Sequence, residues 1–452
     1  MTTNNNPQPK VPYQFQTEAI AVAAVNSVLI GDECGLGKTL MAVEASRYLT
    51  PGPRLVVCPN PAKGQWRQEI IGQLPDSIVY VFGKAGRAPE DFKWEVIEAG
   101  YTVWVIIHYE ALLKIGLQLA QYDWSLVVAD EAHRIKNRKA KRTLHLKRIK
   151  AERKMALTGT LLEKWVGDLW SVLNWLYPKT WTSFWSFRGR YVEEKRHPFL
   201  GFMEIIGPKN LEELAGHIGP YTFRRTKEGV APDLPPKIMT RVPIELTVQQ
   251  AKLYDKIAAS RDIEVDLTEV TEGELGVMVI KNTLAQIIKC QQAVVDPLLL
   301  NTSIESAKIN YAVEYTMDNP DEPIIIFSRF RDTAIRLAGR LDASLLVGGV
   351  KNPTVAIAAF LTGKKRILVG TIAAMGEGLN LQRAKTAIFL DQEWSTIKMQ
   401  QAVDRIHRID IDEPKNIIYL YSEGTVDELV LQALDRKWSE AELVFRYLQI
   451  YG

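Results

Sequence analysis

A glycine-rich run near the start of the chain has the residue types and spacing to hold phosphate groups. Residues 31–39, with the sequence GDECGLGKT, follow a short apolar run and precede a helical pattern. Glycines let backbone N–H groups approach phosphate oxygens, and the start of a helix adds a positive field. Lys38 would reach the β- and γ-phosphates, and Thr39 would ligate Mg²⁺. The predicted contacts of this loop are Asp32, which stands where the strict P-loop pattern has glycine, and Gly35, Gly37, Lys38 and Thr39.

Two adjacent acids supply the second half of the predicted chemistry. Asp130 and Glu131 directly follow the apolar run 126–129, which is typical of a buried strand. Asp130 would hold Mg²⁺ through water opposite Thr39, and Glu131 would act as the general base on the attacking water. Alone, two acids after a strand often mark only a favourable helix N-terminus. Together with the upstream loop they predict a site for ATP and Mg²⁺, with Lys38 and Glu131 as catalytic residues.

The elements that must position these residues alternate between strands and helices. The strand candidates are the apolar runs 28–30, 55–57, 78–82, 103–107, 126–129 and 155–157, and then 324–327, 345–347, 367–370, 387–390 and 417–421. Helical patterns separate them, as in βαβ units with a parallel sheet. A proline-rich stretch, 231–237, divides the two groups. We therefore predict an α/β protein with a disordered lead (1–10) and two lobes (11–230 and 231–452), the second carrying a helical insert at about 245–300 and a final helix at about 425–448.

Composition sets broad limits on the class of protein. The chain has 452 residues, 56 basic against 53 acidic, and a net charge of +3, so its overall charge says little about partners. No apolar run is long enough to span a membrane, and the polar N-terminus lacks the apolar core of a signal peptide. Cys34, Cys58 and Cys290 have no metal-site spacing and predict free thiols in a reducing cytoplasm.

Local charge is more informative than the total. Between Arg134 and Lys154 the chain has 11 basic residues and a single acid, Glu152. Such a run is either a solvated helix face or a surface that holds a phosphate backbone. For the second alternative, the candidate nucleic-acid contacts are Arg134, Lys136, Asn137, Arg138 and Lys139.

The motifs and their order resemble those of a known family. Residues 32–39, 130–137 and 157–160 resemble motifs I, II (a DEAH box) and III of superfamily-2 ATPases in the Swi/Snf branch. The resemblance covers nearly the whole chain. It continues through a glutamine motif (11–14), motifs Ia (55–59, with Trp66 and Glu69) and Ib (107–110), a lobe-crossing segment (221–227 and 234–237), and motifs IV (325–328), V (376–382) and VI (400–408).

This resemblance implies two tandem RecA-like lobes and a role for each motif residue. Gln14 would bond to adenine. Arg405 and Arg408, on one helical face with Gln401 a turn earlier, would be arginine fingers at the γ-phosphate. The residues implied to couple hydrolysis to lobe movement are His133, Thr158, Gly159, Thr160 and Gln401. Gly378 would lie near the nucleotide, and Asn380 and Gln382 near the nucleotide and the nucleic acid.

Departures from the family wording also matter. Leu161 stands where the family usually has proline, and residues 409–411 read Ile-Asp-Ile where Ile-Gly-Gln is usual. Residues 190–202 and 210–214 are similar to the annealing-helicase branch. They predict a hairpin over 191–207 with Phe199 and Phe202 at its tip. Those rings would either wedge or stack at a strand junction or pack on the lobe surface.

The function implied by the family is DNA-dependent ATP hydrolysis that drives translocation on duplex DNA. Its likeliest substrates would be duplexes, forks and four-way junctions, remodelled by regression, branch migration or annealing in replication, repair or recombination. We expect a monomeric motor in the cytoplasm of a bacterium or a phage-infected host, with no membrane contact. Two alternatives stay open, namely an ATPase module that clamps nucleic acid with little turnover, and an RNA helicase.

Overall fold

A computed structural model gives the fold of most of the chain. It describes residues 9–159, 166–196, 203–259, 287–349, 353–375, 379–393, 395–409, 411–428, 430–431 and 434–435. The chain divides into two compact units, the first formed mainly by residues up to Leu234 and the second mainly by residues from Pro235. All three cysteines are free and buried. None of the helices in the described ranges is long and apolar enough to cross a membrane.

The first unit is built on a seven-stranded sheet. Its strands are β1 (Val28–Ile30), β2 (Arg54–Cys58), β3 (Ile78–Val81), β4 (Val103–His108), β5 (Asp123–Asp130), β6 (Lys150–Leu157) and β9 (Thr222–Phe223). They lie in the order β3-β4-β2-β5-β6-β1-β9, and every neighbouring pair is parallel. The helices of this unit are α1 (Gln14–Val25), α2 (Lys38–Ala45), α3 (Lys63–Gln73), α4 (Glu95–Glu98), α5 (Leu112–Leu119), α6 (Lys141–Arg148), α7 (Leu169–Leu176), α8 (Phe184–Tyr191), α9 (Leu211–Ile218) and α10 (Lys227–Val230).

Burial on both faces explains why the strands of this sheet were visible as continuous apolar runs. In β2, Leu55 and Val57 join one core cluster, whereas Val56 and Cys58 join the cluster on the opposite face. A strand with helices on both sides needs apolar residues at every position and not at alternate ones. The six strands expected in this half of the chain are confirmed. The two-residue strand β9 was missed because it is too short to give a pattern.

A separate two-stranded sheet confirms the predicted hairpin. Strands β7 (Val192–Arg196) and β8 (Met203–Pro208) pair antiparallel, with an irregularity between Glu193 and Glu194. The hairpin forms its own sheet and does not join the seven-stranded one. The predicted tip, with Phe199 and Phe202, lies outside the described residues.

The second unit contains a six-stranded, fully parallel sheet. Its strands are β10 (Lys237–Pro243), β11 (Ile324–Ser328), β12 (Ser344–Leu346), β13 (Ile367–Thr371), β14 (Thr386–Phe389) and β15 (Lys415–Tyr421), in the order β10-β15-β14-β11-β13-β12. Five of these were expected. The sixth, β10, is an edge strand whose residues are mostly exposed, so it carries no apolar run. In the middle of the sheet, the rings of Phe327 on β11 and Phe389 on the neighbouring β14 stack with their centroids 4.5 Å apart.

Helices surround this second sheet. They are α11 (Val248–Ala259), α12 (residues 287–295), α13 (Ala307–Asp318), α14 (Arg331–Arg340), α15 (Pro353–Leu361), α16 (Ile372–Met375) and α17 (Thr396–Asp404). The expected helical insert is thus seen as α11 and α12, with residues 260–286 between them outside the described ranges. The expected final helix begins at residue 426, and only its first turns are described. The fold class, two parallel α/β lobes of the RecA type, is confirmed.

A buried lysine ties the second sheet to the start of that final helix. Lys308 on α13 is fully buried, and its Nζ donates to the carbonyl oxygens of Leu390 and Leu420 at 3.1 and 3.4 Å. The same ammonium contacts a carboxylate oxygen of Asp427 at 2.5 Å. A buried charge requires a partner of this kind, because an unpaired one is costly to remove from water.

Replacing this lysine should destabilise the second unit. We expect Lys308→Ala to lower its free energy of unfolding by about 3–5 kcal/mol, since Asp427 would remain buried without its partner. The double variant Lys308→Met with Asp427→Leu should recover much of that loss, because neither charge is then buried. Urea denaturation followed by circular dichroism measures both, with the exposed Lys364→Ala as the matched control. A loss no larger than that of the control would contradict this account.

Candidate nucleotide-binding site

Sheet order brings the predicted motifs to one edge of the first unit. Strands β5, β6 and β1 are neighbours and parallel, so the segments that follow them leave from the same edge. These segments hold Asp130 and Glu131, then Thr158 and Gly159, then the loop 31–39. Thr158 is fixed to the first strand by its N–H, which donates to the carbonyl oxygen of Ile30 at 3.0 Å. Three motifs spread over residues 31–159 thus lie at one edge of the sheet.

The loop 31–39 has the shape of a phosphate cradle. Gly35 and Gly37 have φ angles of 92° and 79°, in the left-handed region that favours glycine. A Cβ added at Gly37 would collide with the amide of Gln16. α2 begins at Lys38, whose ammonium lies over the loop and donates to the carbonyl oxygens of Asp32 (2.8 Å) and Glu33 (3.2 Å). A helix start, flexible glycines and a lysine at the mouth of the loop fit a bound polyphosphate.

The glutamine that contacts this loop is Gln16, and the adenine contact predicted for Gln14 stays a prediction. Gln14 is exposed, whereas Gln16 is 1% exposed and donates from Nε2 to the carbonyl oxygen of Leu36 at 2.9 Å. Its Oε1 accepts the N–H of Tyr13 at 2.9 Å. The sequence contained a signal for the burial of this side chain, because Gln16, Ala19 and Ile20 have the spacing of one buried face of a helix.

Asp32 is fully buried and is held by an arginine from a distant part of the chain. Arg225 donates to its carboxylate from the backbone N–H at 2.9 Å, from Nη2 at 2.7 Å and from Nε at 3.2 Å. The guanidinium lies between the rings of Phe15 and Phe223, with its carbon 5.1 and 5.0 Å from their centroids. The carboxylate of Asp32 is therefore engaged with Arg225 and braces the loop from behind.

Neighbouring contacts extend this brace along the segment 221–227. The N–H groups of Gly31 and Glu33 donate to the carbonyl oxygens of Phe223 and Arg225 at 2.7 and 2.9 Å. A carboxylate oxygen of Glu33 accepts the N–H of Lys227 at 2.8 Å, and its partner oxygen lies 3.7 Å from the ammonium of Lys227. The segment that resembles a lobe-crossing element is thus also a wall of the phosphate loop.

Both side-chain oxygens of Asp130 are oriented by hydrogen bonds. Oδ2 accepts from the indole N–H of Trp66 at 2.8 Å, and Oδ1 accepts the N–H of Glu131 at 3.0 Å. The hydroxyl of Tyr109 donates to the carbonyl oxygen of Asp130 at 2.7 Å. Burial, with the charge of Asp130, raises the pKa of Tyr109 well above its usual value, so it stays a donor. Motif resemblance singled out Trp66, but spacing gave no sign that it contacts the acid.

Glu131 adopts a strained backbone that points it toward the motif after β6. Its φ is 53°, a region that costs a non-glycine residue about 1–3 kcal/mol. An oxygen of Glu131 lies 3.3 Å from Nδ1 of His133, and that nitrogen lies 3.5 Å from Oγ1 of Thr158. A continuous polar path therefore joins the predicted general base to the residues predicted to couple hydrolysis.

The remaining coupling residues divide between the described and undescribed ranges. Gly159 packs against Cys34 of the phosphate loop so closely that a Cβ would collide with its sulfur. This contact explains the need for glycine there. Thr160 lies outside the described residues, as does Gly378. Asn380 is exposed in the second unit, and its Oδ1 accepts the N–H of Gln382 at 3.2 Å.

Few protein ligands are arranged for a metal. No cluster of three or more His, Cys, Asp or Glu side chains suited to a metal occurs among the described residues. Thr39 and Asp130 supply the two oxygens expected of a site in which Mg²⁺ is held mainly by water and phosphates. The donor set fits that ion when it arrives with a nucleotide.

The arginine motif of the second unit has a different geometry from the one expected. α17 ends at Asp404, so Arg405 and Arg408 lie in the turn that follows and do not share a helical face. Gln401 is within the helix and buried. Arg405 is also buried, and its carbonyl oxygen accepts the N–H of Leu381 at 3.0 Å. The i, i+3 argument for a joint surface was therefore wrong.

The basic run from Arg134 to Lys154 is not one surface. Lys147 donates to Oδ1 of Asn174 at 2.7 Å and lies over the ring of Trp170. Burial, with the charges of Arg138 and Lys154, lowers its pKa to about 8. Lys154 packs against Trp175 and donates to its carbonyl oxygen. The more solvent-accessible part is the segment 136–141, with Asn137, Lys139 and Lys141 exposed and Lys136 and Arg138 half-buried.

Comparison with known proteins agrees with this site. One family model, the SNF2-related domain, matches residues 13–299, and a second, the helicase conserved C-terminal domain, matches residues 307–410. The chain belongs to the SNF2-related family. This membership makes it a superfamily-2 ATPase by class and confirms the Swi/Snf part of the sequence resemblance.

Relatives of this SNF2-related chain come from distant organisms. It is 28% identical to the human SWI/SNF-related matrix-associated actin-dependent regulator of chromatin subfamily A member 1, over 91% of this chain and 41% of that protein. It is 26% identical to an uncharacterised ATP-dependent helicase of Mycoplasma genitalium, over 90% of this chain and 39% of the relative. The Sulfolobus solfataricus SWI2/SNF2 ATPase core in complex with dsDNA is 26% identical, with a TM-score of 0.46, 97% of this chain covered and 95% of that one. The chain spans about two fifths of the curated relatives' length.

Two neighbouring residues of α1 in this SNF2-related chain, Gln16 and Thr17, make a matched pair for testing the site. Gln16→Ala should raise the KM for ATP about tenfold, because the loop loses a hydrogen bond that holds Leu36 in place. Thr17→Ala, in the same helix but exposed, should change the KM less than about twofold. Steady-state ATP hydrolysis measures both. Equal effects of the two substitutions would contradict the assignment of Gln16.

The buried brace behind the loop gives a stability prediction. Arg225→Ala should lower the free energy of unfolding by about 3–5 kcal/mol, because Asp32 would remain buried without its partner. The free energy of unfolding of Arg225→Lys should lie between those of the unaltered protein and Arg225→Ala, because lysine keeps the charge but not the planar fork of donors. Denaturation midpoints measure the change in stability, and binding of a fluorescent nucleotide measures the effect on the loop. The exposed Arg67→Ala is the control. An Arg225→Ala protein as stable as the control would refute the brace.

Proposed function

We propose that this SNF2-related chain hydrolyses ATP in response to duplex DNA and uses the energy to move along it. The observation that carries the proposal is the convergence at one sheet edge of the loop 31–39, the acids 130–131 and the coupling path through His133. A loop without the acids would suffice for binding nucleotide. The acids, held in fixed orientation by neighbouring donors, are the part that hydrolysis needs.

The proposed reaction assigns a task to each residue of the first unit. Lys38 exchanges its carbonyl partners in the loop for phosphate oxygens. Thr39 and Asp130 hold Mg²⁺, which neutralises charge on the phosphates when bound. Glu131 accepts the proton of the attacking water. His133 and Thr158 respond to movement of the Glu131 carboxylate, because they lie on the polar path from that carboxylate to the motif that follows β6.

We assign Arg405 and Arg408 of the second unit to the transferred phosphoryl group. Negative charge spreads over that group in the transition state, and a guanidinium stabilises it. Their location in the turn after α17 supports a role in which the guanidinium groups change position, because a turn can change conformation more easily than a helix interior. Gln401 in the helix would fix the base of that turn. The adenine contact is proposed for Gln14, which is exposed at the start of α1, whereas the buried Gln16 holds the phosphate loop.

Duplex DNA is the proposed track. One matched relative is named a regulator of chromatin and another an ATP-dependent helicase, and the resemblance of the motifs to the Swi/Snf branch implies duplex DNA as the substrate. Such motors contact mainly phosphates, with little sequence preference. The candidate phosphate contacts in the first unit are Lys136, Asn137, Arg138 and Lys139, with Arg134 nearer the acids. We propose a monomeric motor.

Branched DNA is the finer part of the proposal. It is supported by the separate hairpin β7–β8, on which Ile205 and Ile206 are 40% and 53% exposed. Strand β8 thus presents apolar side chains to solvent, and the annealing-helicase resemblance falls on the same hairpin. Fork regression, branch migration or annealing in replication, repair or recombination would be the outcome. The matched relatives come from both human and Mycoplasma. The location of this protein in the cytoplasm of a bacterium or a phage-infected host therefore stays a prediction.

Phosphate release tests the proposed activity directly. Duplex DNA should stimulate release by the unaltered protein, and Lys38→Ala and Glu131→Gln should each reduce the stimulated rate by about a hundredfold or more. The exposed Lys114→Ala is the matched control and should retain the rate. Parallel assays with duplex RNA and with no nucleic acid separate the alternatives.

Each outcome of that assay has one meaning. Stimulation by RNA but not by DNA would identify an RNA helicase. Tight DNA binding without stimulated release would identify a clamp. A Lys38→Ala protein that still hydrolyses ATP would show that the catalytic site has been misassigned.

A further inference from the structure

One exposed tryptophan in the first unit has no role in the nucleotide site. Trp185 on α8 is 66% exposed, and it is the one exposed tryptophan among those that the structure describes. Tryptophan carries a large apolar ring, which is usually buried or placed where a partner covers it. The next residues on the same helix, Phe187 and Tyr191, are buried, so α8 already has a core face without Trp185.

The surroundings of Trp185 are aromatic and basic. Its ring meets that of Phe184 edge to face at 5.3 Å. The guanidinium carbon of Arg138 lies 4.3 Å from the centroid of Phe184 and 5.7 Å from that of Trp185. The guanidinium of Arg188 lies 5.5 Å from the same indole. Two thirds of Trp185 is exposed even with both guanidinium groups near its ring.

Charge around the open ring favours a negatively charged partner. Among the described residues, no carboxylate lies within ion-pairing distance of Arg138. The segment that bears it, 136–141, also carries Lys136, Lys139 and Lys141. An arginine near an aromatic ring can hold a phosphate in a fork of N–H groups while the ring stacks on the attached base. This combination suits a nucleotide better than an apolar protein segment.

α8 continues directly into the hairpin β7–β8. Arg188 pairs with Glu194 at the irregular point of β7, so the helix face bearing Trp185 is fixed to the hairpin. On the other side, Glu213 of α9 contacts Arg190 at 2.6 Å and accepts from the hydroxyl of Tyr191 at 2.8 Å. The exposed indole is therefore held at the root of the hairpin by ion pairs on a rigid helix.

We propose that Trp185 and Arg138 form a binding site for an unpaired nucleotide. The indole stacks on its base and the guanidinium holds its phosphate. Bases inside a duplex are stacked on one another, and only an unpaired base offers a free face to a side chain. The site therefore selects DNA with single-stranded character, such as a fork or a tailed duplex. This inference rests on the proposed DNA-dependent function and specifies the part of the substrate that the first unit recognises.

Binding to matched substrates tests the site. Fluorescence anisotropy at fixed salt compares a blunt duplex with the same duplex bearing a single-stranded tail. Trp185→Ala should lower the ratio of tailed to blunt affinity by about tenfold, within the range of about five- to a hundredfold set by stacking on one base. Trp185→Phe keeps a ring and should lose much less. Tyr101→Ala, 64% exposed but outside this region, is the matched control and should leave the ratio unchanged.

Two further readouts distinguish stacking from an indirect effect. A tailed oligonucleotide should quench tryptophan fluorescence more in the unaltered protein than in Trp185→Phe, because stacking on a base quenches an indole directly. Arg138→Gln should weaken binding and reduce the salt dependence of log affinity by about one phosphate contact. Thermal melting checks that each variant is folded.

The outcomes separate this inference from the proposed function. If blunt duplex stimulates ATP hydrolysis but Trp185→Ala leaves the affinity ratio and the quenching unchanged, the nucleotide site is refuted and the exposed indole belongs to a protein-facing surface. If no DNA stimulates the unaltered protein, the proposed function fails. A lowered ratio with reduced quenching supports the nucleotide site, and DNA-stimulated hydrolysis by the unaltered protein supports the proposed function.

Discussion

The ion pair between Asp32 and Arg225 is the constraint on which the nucleotide site depends. A carboxylate in place of the usual loop glycine is fully buried, and burying it without a partner would cost several kcal/mol. Its partner comes from 193 residues later in the chain. The segment 221–227 must therefore lie beside β1, where its backbone also binds the loop. The phosphate loop cannot reach its final shape before the first unit is nearly complete, so binding competence and folding of this unit are linked.

Much of the fold was predictable from the sequence because the strands are buried on both faces. Continuous apolar runs at β2, β4 and β5 are strong signals, and the phosphate loop has a composition that few other structures need. The edge strand β10 was not predictable, because its exposed residues have no periodic pattern. The contact of Gln16 with the phosphate loop was not predicted, because the face of α1 that meets the loop is set by packing and not by motif position.

Contacts between side chains from separate strands were the least predictable part of the site. Nothing in the spacing of Trp66 and Asp130 indicates that an indole N–H orients the acid, since the contact depends on the order β4-β2-β5 in the sheet. Sequence reasoning could propose the groups for the chemistry because these must be particular residue types. The residues that hold them in place need only the right shape and a donor, so many residue types at many positions would have served.

The basic run between Arg134 and Lys154 illustrates why charge density in a sequence is a weak guide to a binding surface. Lys147 and Lys154 pack on tryptophan rings, where burial lowers the pKa of both, and their ammonium groups bond to neighbouring oxygens. These cations stabilise the packing of α7 and are not available to a phosphate backbone. Arg138 lies earlier in the same run, with no carboxylate partner among the described residues and with the exposed indole of Trp185 beside it. A cation contributes to binding where the fold leaves its charge unneutralised, and this depends on the elements packed around it and not on its neighbours in the sequence.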